Sequence, residues 1–512
     1  MMITLINSPG LKSFSGLQMH TPNPPLGLAY IAGAIKDAGI SYTVIDGTGE
    51  ALDAISPYPL RNDFMIQGLS FEQIADRIPA DTRIIGLSCM FSTLWPLTRD
   101  LAAHIRPRFP NALLLLGGEH GTAVPELVLR SSVFDIVIQG EGEETFINVA
   151  KAILAGLPWR EVPGLAYLDE GAYRTNGLAA RNRNIDDIPL PDWDSFPLEE
   201  YISRHQINGI NIGRAMPLLS TRGCPYQCTF CSSPNMWTTR YITRDPVKVA
   251  DEIEFYKKKY NIANVDFQDL TAVVKRKWVL EFTRELIKRQ LNVTWQMPSG
   301  TRSEVFDVEV ADLLYKAGCR ALAFAPESGD PEILEKIKKQ VDLNHMLKAM
   351  RIAVHRGFKL SCFIVIGCPD DTRASLHKSL QLIRRMAVLG VHDVAVSKFV
   401  PYPGSVLFKR LQQEGRIAVD DEFFLSPMDF YTQKAPSYSV HLTTKELYFT
   451  MLWMFVNFYV ISFACRPVRT VLILIKAVMT GTEETRFAKW LNDILFVRRR
   501  WRTLARRVSQ GG

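Results

Sequence analysis

The chain has 512 residues, 47% of them hydrophobic and 22% charged, with a formal net charge of +7. This length can bury sizeable cores and predicts two to four domains, and Met1 to Pro9 lacks the basic start and apolar core of a secretory signal. Only three of the eight cysteines are grouped, which excludes a disulfide framework and favours a reducing, cytoplasmic compartment.

The net positive charge belongs to one end of the chain. From Arg466 onwards there are eleven Lys and Arg and three acidic residues, so the preceding chain is close to neutral. A nucleic-acid-binding surface over the whole protein is therefore not indicated, and we expect no nucleic-acid partner.

Residues 1–150 predict an α/β domain with a doubly wound, Rossmann-like sheet. Short apolar runs at 2–7, 42–46, 84–88 and 113–116 alternate with helical patterns such as 26–38 and 97–105. Ligands of such sheets bind at the carboxyl ends of the strands. Taken singly, each residue at those ends also fits ordinary turn chemistry. The candidates for cofactor binding there are Asp46, Gly47, Ser88, Gly117, Gly118, Glu119, Gly140 and Glu141.

The second half predicts a partial (βα)6 barrel over 213–415, after a Pro- and Asp-rich linker assigned to 151–212. In barrels the chemistry lies at the carboxyl ends of the strands. The predicted strands are 216–221, 263–268, 293–298, 321–325, 359–366 and 392–399.

Cys224, Cys228 and Cys231 follow the first barrel strand with the spacing C-x3-C-x2-C. Three thiolates on so short a loop suit an iron–sulfur cluster, and they leave one metal position open, as reactive centres do. A structural zinc site is the alternative, but it needs a fourth ligand, and His205 lies nineteen residues away.

This loop resembles the cluster signature of the radical S-adenosylmethionine (SAM) enzymes. The segments 326–329, 363–367 and 402–404 also resemble that family. The resemblance implies that the three cysteines hold a catalytic [4Fe-4S] cluster whose fourth iron chelates SAM and cleaves it to a 5′-deoxyadenosyl radical. It also implies an external electron donor such as flavodoxin or ferredoxin.

The first domain resembles the cobalamin-binding domain that precedes the barrel in a large radical SAM subclass. The resemblance rests on 25–30, 86–88, 117–120, 125–126 and 140–143. The D-x-H-x-x-G cobalt-ligating motif of other cobalamin proteins is absent, because Gly47 and Thr48 follow Asp46, so this loop supplies no histidine ligand. A domain that kept the fold and lost cobalamin is the alternative.

The same resemblance assigns SAM-binding residues at the other strand ends. It assigns Asp269 to the methionine amine and Glu327 and Ser328 to the ribose or carboxylate. Arg302 and Gly329 are further candidates for cofactor binding. The adenine slot is assigned to Phe230, Ile364 and Ile366.

The function so implied is a cobalamin-dependent radical SAM methyltransferase that acts on an unactivated carbon of a small or hydrophobic substrate, with a lipid as the preferred hydrophobic class. A radical SAM cyclase, oxidase or ring-rearranging enzyme with the same cofactors is the alternative. A tRNA methylthiotransferase is less favoured because the first domain has only Cys89. A non-catalytic iron–sulfur scaffold is the remaining possibility.

Residues 416–512 predict a helical, basic and apolar tail. The stretch 447–465 is free of charge for nineteen residues, close to the length that spans a bilayer. Contact with a membrane surface, a helical cap packed on the barrel and a true span are all open. Arg498–Arg500, Arg502, Arg506 and Arg507 would favour an anionic lipid surface.

Overall fold

The computed structural model describes residues 2–13 and 22–480, together with Thr485 and Ala488. The basic run from Arg498 to Arg507, predicted to favour lipid, lies outside the described residues.

The first domain is a seven-stranded sheet with helices on both faces. Its elements are β1 (Met2–Asn7), β2 (Gly10–Ser13), α1 (Leu26–Asp37), β3 (Tyr42–Asp46), β4 (Ile55–Pro57), β5 (Phe64–Gln67), α2 (Phe71–Arg77), β6 (Thr82–Ser88), α3 (Trp95–Ile105), β7 (Leu113–Gly117), α4 (Glu119–Ala123), α5 (Pro125–Ser131), β8 (Ile136–Ile138), α6 (Gly142–Ala155), β9 (Leu165–Asp169) and β10 (Ala172–Thr175). The strand order is β10-β9-β8-β7-β6-β1-β3, and β2, β5 and β4 form a small antiparallel sheet.

Alternation along β7 shows why this sheet is doubly wound. Leu115 packs in the core beneath α1 and α6, while Leu114 and Leu116 pack in a separate core beneath α3 and α5. A parallel strand covered by helices on both faces reads as a continuous apolar run, as this one does. The antiparallel strands β9 and β10 extend the sheet within the segment predicted to be linker.

The second domain is an open barrel of six parallel strands in the order β11-β14-β15-β16-β17-β18. From the linker onwards the elements are α7 (Leu198–Ser203), β11 (Ala215–Leu218), β12 (Thr221–Arg222), α8 (Ser233–Trp237), β13 (Ile242–Thr243), α9 (Pro246–Tyr260), β14 (Asn264–Phe267), α10 (Arg276–Arg289), β15 (Thr294–Thr301), α11 (Val308–Lys316), β16 (Cys319–Glu327), α12 (Pro331–Lys336), α13 (Leu343–Arg356), β17 (Lys359–Ile366), α14 (Arg373–Leu389) and β18 (Asp393–Lys398). The predicted fold class is confirmed.

The linker crosses the inner face of this barrel. The backbone N–H of Gly209 donates to Oδ2 of Asp266 at 3.1 Å, and the backbone of Ile210 exchanges two hydrogen bonds of 3.0 Å with the Gln296 amide. A Cβ on Gly209 would lie 2.3 Å from the Gln296 side chain, so a larger residue here would displace the Gln296 amide from these hydrogen bonds. These contacts fix the linker against β14 and β15.

The described part of the tail is helical. It comprises α15 (Val406–Gln413), α16 (Asp421–Leu425), α17 (Thr444–Cys465) and α18 (Pro467–Thr480). One face of α17 packs on α14 and β18: Arg384 donates to Asn457 at 2.9 Å, and Tyr459 donates to Asp393 at 2.7 Å. By its length and a mean hydropathy of 1.6, α17 is the candidate membrane span among the described residues. The contacts with α14 and β18 show, however, that one face of α17 packs against the barrel.

Candidate functional site

The cysteine loop leaves β11 and is fixed at both ends. The short strand β12 pairs with β13 before the first cysteine, and the N–H of Thr229 donates to the carbonyl of Ile337 at 3.0 Å. Gly223, with φ of +86°, passes so close to Arg240 that a Cβ would lie 2.2 Å from its carbonyl oxygen. The loop therefore has one backbone path at its entrance.

The three thiols of this loop are free and partly exposed. Burial raises the pKa of Cys231 to about 12 and also raises that of Cys228, and the neighbouring thiols add to both shifts. Among the described residues, no group of three or more His, Cys, Asp or Glu side chains is arranged to hold a single metal ion. A [4Fe-4S] cluster takes one thiolate per iron and stabilises each as the anion, so this donor set fits a cluster.

Asp269, predicted to bind the methionine amine, is hydrogen-bonded to the start of the cysteine loop. Its carboxylate accepts hydrogen bonds from the N–H of Ser220 at 3.1 Å and from the Ser220 hydroxyl at 2.9 Å, and also from the Thr221 hydroxyl. The side chain is buried, and burial raises its pKa. These bonds tie the end of β14 to the residues that precede Cys224.

Charged side chains gather beside Cys228. Lys339 pairs with Glu327 at 2.9 Å, and the Arg302 guanidinium lies 3.7 Å from the ring centroid of Tyr226. Lys339, Glu327 and Arg302 all act electrostatically on the Cys228 thiol. Cations and a carboxylate so near the cluster loop suit a zwitterionic ligand such as the methionine part of SAM.

Ser328 and Gly329 face away from this group. The N–H of Gly329 donates to the hydroxyl of Ser379 in α14 at 2.9 Å, and a Cβ on Gly329 would lie 2.4 Å from the Lys378 carbonyl. The Ser328 hydroxyl accepts from the N–H of Asp330 at 3.1 Å. Their prediction as cofactor contacts does not match this packing, which joins the end of β16 to a helix.

Ile364 and Ile366, predicted to line an adenine slot, lie on the helix-covered face of β17. Ile364 and Ile366 are fully buried in the core between sheet and helices, because alternate residues of a strand point to opposite faces. Phe363 and Val365 occupy the other face, where Phe363 approaches Gly300 of β15. Phe230 packs in a core cluster with Ile333, Ile337, Cys368, Phe399 and Leu407.

In the first domain, Asp46 and Gly47 have structural partners. Asp46 accepts from Asn7 at 2.7 Å, from the Tyr201 hydroxyl at 2.9 Å and from the Gly49 N–H at 2.9 Å. A Cβ on Gly47 would lie 2.7 Å from the Asn7 carbonyl. Both residues fix the turn after β3, which differs from the predicted contact with a cofactor.

The carboxyl ends of β6 and β7 form a more open edge. Ser88 pairs with Gly117, and a Cβ on Gly117 would meet nothing within 4 Å, so a ligand can approach this backbone. Gly118, with φ of +103°, would place a Cβ 2.6 Å from the Cys89 carbonyl. Met90 and Phe91, 41% and 65% exposed, add an apolar surface that sequence reasoning missed. This edge fits a large, partly apolar cofactor.

Glu119 brings this edge to the cysteine loop. Its Oε1 is buried without a hydrogen-bond partner among the described residues, and burial raises the pKa of its carboxyl to about 7. A hydrogen bond with Ser232 opposes the shift, and the Glu119 carboxylate in turn raises the pKa of the Cys231 thiol. Gly140 lies close to the Met236 carbonyl, so the edge of the first domain faces the residues that follow the cysteines.

Glu141 contacts protein cations. It lies 3.3 Å from Arg181 and 3.7 Å from Arg222, and its neighbour Glu143 lies 2.5 Å from Arg222. Glu141 was predicted as a cofactor residue, whereas the arginines and Glu143 were missed. The signal was the Gly-Glu-Gly-Glu run at 140–143, whose two carboxylates needed cationic partners once buried.

Known families match both domains. The B12 binding domain matches residues 16–150, and the Radical SAM superfamily matches residues 218–383. The chain is 28% identical over 396 residues to an uncharacterized methyltransferase of Pyrococcus horikoshii, covering 76% of this chain and 78% of that protein. It is also 28% identical over 399 residues to an anaerobic magnesium-protoporphyrin IX monomethyl ester cyclase of Cereibacter sphaeroides, covering 76% of this chain and 61% of the cyclase.

A solved structure shares the layout. The radical SAM methyltransferase TsrM from Kitasatospora setae, with cobalamin and a [4Fe-4S] cluster bound, superposes with a TM-score of 0.66, at 16% identity over 88% of this chain and 90% of that one. At this identity the likeness shows the fold alone.

A three-cysteine loop on a six-stranded open barrel, facing the ligand edge of a doubly wound domain, defines an iron–sulfur enzyme of the radical SAM class. The chain belongs to the radical SAM enzymes that carry an N-terminal B12 binding domain. The predicted family and its cofactors, a [4Fe-4S] cluster, SAM and cobalamin, are confirmed. Which residues hold each cofactor stays a prediction.

Proposed function

We propose that this enzyme methylates an unactivated carbon of a small, hydrophobic substrate. The observation that carries the proposal is the packing of α4, at the ligand edge of the B12 binding domain, against α8, which follows Cys231. Two cofactor sites that face each other let a methyl donor and a radical generator act on one substrate.

Cys224, Cys228 and Cys231 would hold the cluster, while Glu327, Lys339 and Arg302 would orient the charged part of SAM. Phe363 and Val365, in place of Ile364 and Ile366, would line the adenine side of the lumen. Gly117 and Gly118 would let cobalamin approach the backbone, with Met90 and Phe91 excluding water beside it. Asp269 would keep the cysteine loop in register.

The bound cofactors supply reductive cleavage of one SAM and methyl transfer from another. Overall, R–H, two SAM and two electrons give R–CH3, S-adenosylhomocysteine, 5′-deoxyadenosine and methionine, and the substrate hydrogen ends on 5′-deoxyadenosine. The electrons would come from a low-potential donor of the flavodoxin or ferredoxin class. The protein itself aligns the reactants and excludes water.

Anaerobically reconstituted protein, incubated with SAM and a strong reductant, tests this proposal. Wild-type protein should form both 5′-deoxyadenosine and S-adenosylhomocysteine, and single alanine variants of the three cysteines should lose the cluster and both products. Wild-type protein that forms neither product would refute the proposal and favour a scaffold.

A cyclase is the second candidate, because a cyclase stands among the relatives at the same identity as the methyltransferase. A cyclase would consume SAM without leaving a methyl group on its product. Incubation with methyl-deuterated SAM separates the two functions by the mass of the product.

The outer faces of α17 and α18 support contact with a membrane surface. Their apolar side chains, 42% to 78% exposed, recur every three or four residues and so form one stripe on each helix. Basic residues exceed acidic ones by eight after Cys465, which suits anionic lipid. The stripe consists of Phe449, Trp453, Val456, Val460, Phe463, Val468, Val471, Leu472, Ile475, Val478 and Met479.

Vesicle flotation tests this surface. The protein should float with anionic vesicles and less with neutral ones, and Trp453→Glu with Val460→Glu should abolish flotation. Val308→Glu, at an equally exposed apolar residue of α11, is the control and should float as wild type does. Equal flotation of all variants would contradict the assignment.

A further inference from the structure

A buried ion-pair network joins the B12 binding domain to the entrance of the cysteine loop. Arg222 lies two residues before Cys224, and its side chain is 5% exposed. Its guanidinium lies 2.5 Å from Glu143 and 3.7 Å from Glu141, and both carboxylates follow β8 in the first domain. Arg222 and its two carboxylate partners therefore link the B12 binding domain directly to the entrance of the cysteine loop.

Aromatic rings complete the surroundings of this guanidinium. It lies 5.1 Å from the ring centroid of Tyr30 in α1 and 5.5 Å from that of Trp237 in α8. One ring belongs to each domain, and cation–π attraction is strongest where the cation is removed from water. Arg222 is held between the domains on several sides.

A second arginine closes the network from the linker. Arg181 lies 3.3 Å from Glu141 and donates to the carbonyls of Trp237 and Arg240, and the N–H of Asn182 donates to Glu141 at 3.2 Å. Glu141 thus has partners in the linker and beside the cysteine loop. We call Arg222, Glu143, Glu141 and Arg181 the interdomain clamp.

We propose that the interdomain clamp is a positioning device that sets the separation between the cluster and the cobalamin edge, and so the balance between the two uses of SAM. Cleavage of SAM at the cluster needs only the barrel, whereas methyl transfer needs both domains in register. A displacement of about 1 Å can cost roughly 100-fold in rate when reacting groups must meet. This inference rests on the proposed function.

The test compares Glu143→Gln with Asp429→Asn, both loaded with cluster and hydroxocobalamin. Asp429 is a matched control, because it is a buried carboxylate that pairs at 3.1 Å with Arg61 of the first domain, away from the cysteines. In Glu143→Gln, 5′-deoxyadenosine formation should stay within about threefold of wild type while S-adenosylhomocysteine formation falls at least tenfold. Asp429→Asn should leave the ratio of S-adenosylhomocysteine to 5′-deoxyadenosine unchanged.

Two measurements do not depend on turnover. Hydrogen–deuterium exchange should quicken in Glu143→Gln at residues 139–143 and 221–223, and stay unchanged there in Asp429→Asn. The electron paramagnetic resonance spectrum of the reduced cluster with SAM should be that of wild type in both variants. A changed spectrum would mean that SAM binding at the cluster is damaged, which would overturn the positioning role.

Glu143→Gln leaves Arg222 buried without its main partner, so the double variant Glu143→Gln/Arg222→Met guards against misfolding. It removes both charges and should still show the lowered ratio. A wild-type ratio in either variant, or a parallel loss of both products, would overturn the proposal. Wild-type protein that forms no S-adenosylhomocysteine would contradict methyl transfer itself. The hydrogen–deuterium exchange data and the cluster spectrum would then test whether the clamp still holds the two domains together.

Discussion

Nζ of Lys339 lies 2.9 Å from Oε1 of Glu327, and both groups act on the Cys228 thiol. Glu327 has a φ of +64°, a backbone conformation that residues other than glycine seldom adopt. The strand end is thus held in an unusual shape that brings a carboxylate and an ammonium to the cluster loop. Such strain often accompanies function.

Glu327→Gln should therefore weaken SAM binding. One charge-assisted hydrogen bond contributes roughly 1.5–3 kcal/mol, so we expect the KM for SAM to rise about 10- to 100-fold. Product analysis over a range of SAM concentrations measures it. Glu332→Gln, at an exposed site in α12, is the control, and an unchanged KM in Glu327→Gln would contradict the assignment.

Asp269→Asn should loosen the cysteine loop. The amide cannot accept all the hydrogen bonds that Ser220 and Thr221 donate, and an unpaired buried polar group costs about 1–3 kcal/mol of unfolding free energy. We expect lower bound iron per chain and a lower Tm. Ser220→Ala removes one donor only and should have the milder effect; full iron retention by Asp269→Asn would show that the loop needs no such anchor.

Adjacent residues of β17 should behave differently. Ile364→Ala removes a fully buried side chain and should lower the unfolding free energy by about 2–5 kcal/mol, with little change in the KM for SAM. Phe363→Ala should raise that KM and cost less stability. Urea unfolding and SAM cleavage measure the two effects, and the reverse pattern would restore Ile364 to the adenine slot.

Two buried histidines predict a pH dependence of stability. Burial lowers the pKa of His120 and of His392 to about 3 from an ordinary value of 6.5. Between these values the unfolded chain binds protons that the folded chain does not, so stability is lost as pH falls below about 6.5. His120→Phe keeps an aromatic ring beside Trp95 and should reduce this slope by about 1.4 kcal/mol per pH unit. Urea unfolding at pH 5.5 and 4.5, where a histidine in the unfolded chain is almost fully protonated, measures the slope, and an unchanged slope in His120→Phe would contradict the prediction.

The parts predictable from sequence are those with a local signal. The spacing of Cys224, Cys228 and Cys231 and the regular alternation of strands with helices each lie within a short stretch. The family and the fold class predicted from them are confirmed. The partners of Asp46 and Asp269 were not accessible, because Tyr201 and Ser220 come from distant segments. The side of β17 that meets the lumen was misassigned since Phe363, Ile364, Val365 and Ile366 are all apolar, and such a run carries no alternation.

The interdomain clamp could not be predicted from the sequence for the same reason. Glu141 and Glu143 are visible as charges in a short run, but their partner Arg222 is 79 residues beyond Glu143. Only the packing of the two domains reveals that these carboxylates are neutralised within the protein. The motif at this strand end therefore predicted a ligand contact from sequence, while its arginine partners could not be predicted.

The central claim is that one chain uses SAM in two ways across the two domains. The most direct measurement loads reconstituted protein with hydroxocobalamin, removes the excess, adds SAM and reductant, and quantifies bound cobalamin, 5′-deoxyadenosine and S-adenosylhomocysteine in parallel. We predict bound cobalamin and both products, with S-adenosylhomocysteine absent when cobalamin is withheld. Formation of 5′-deoxyadenosine alone by the cobalamin-loaded protein would contradict methyl transfer.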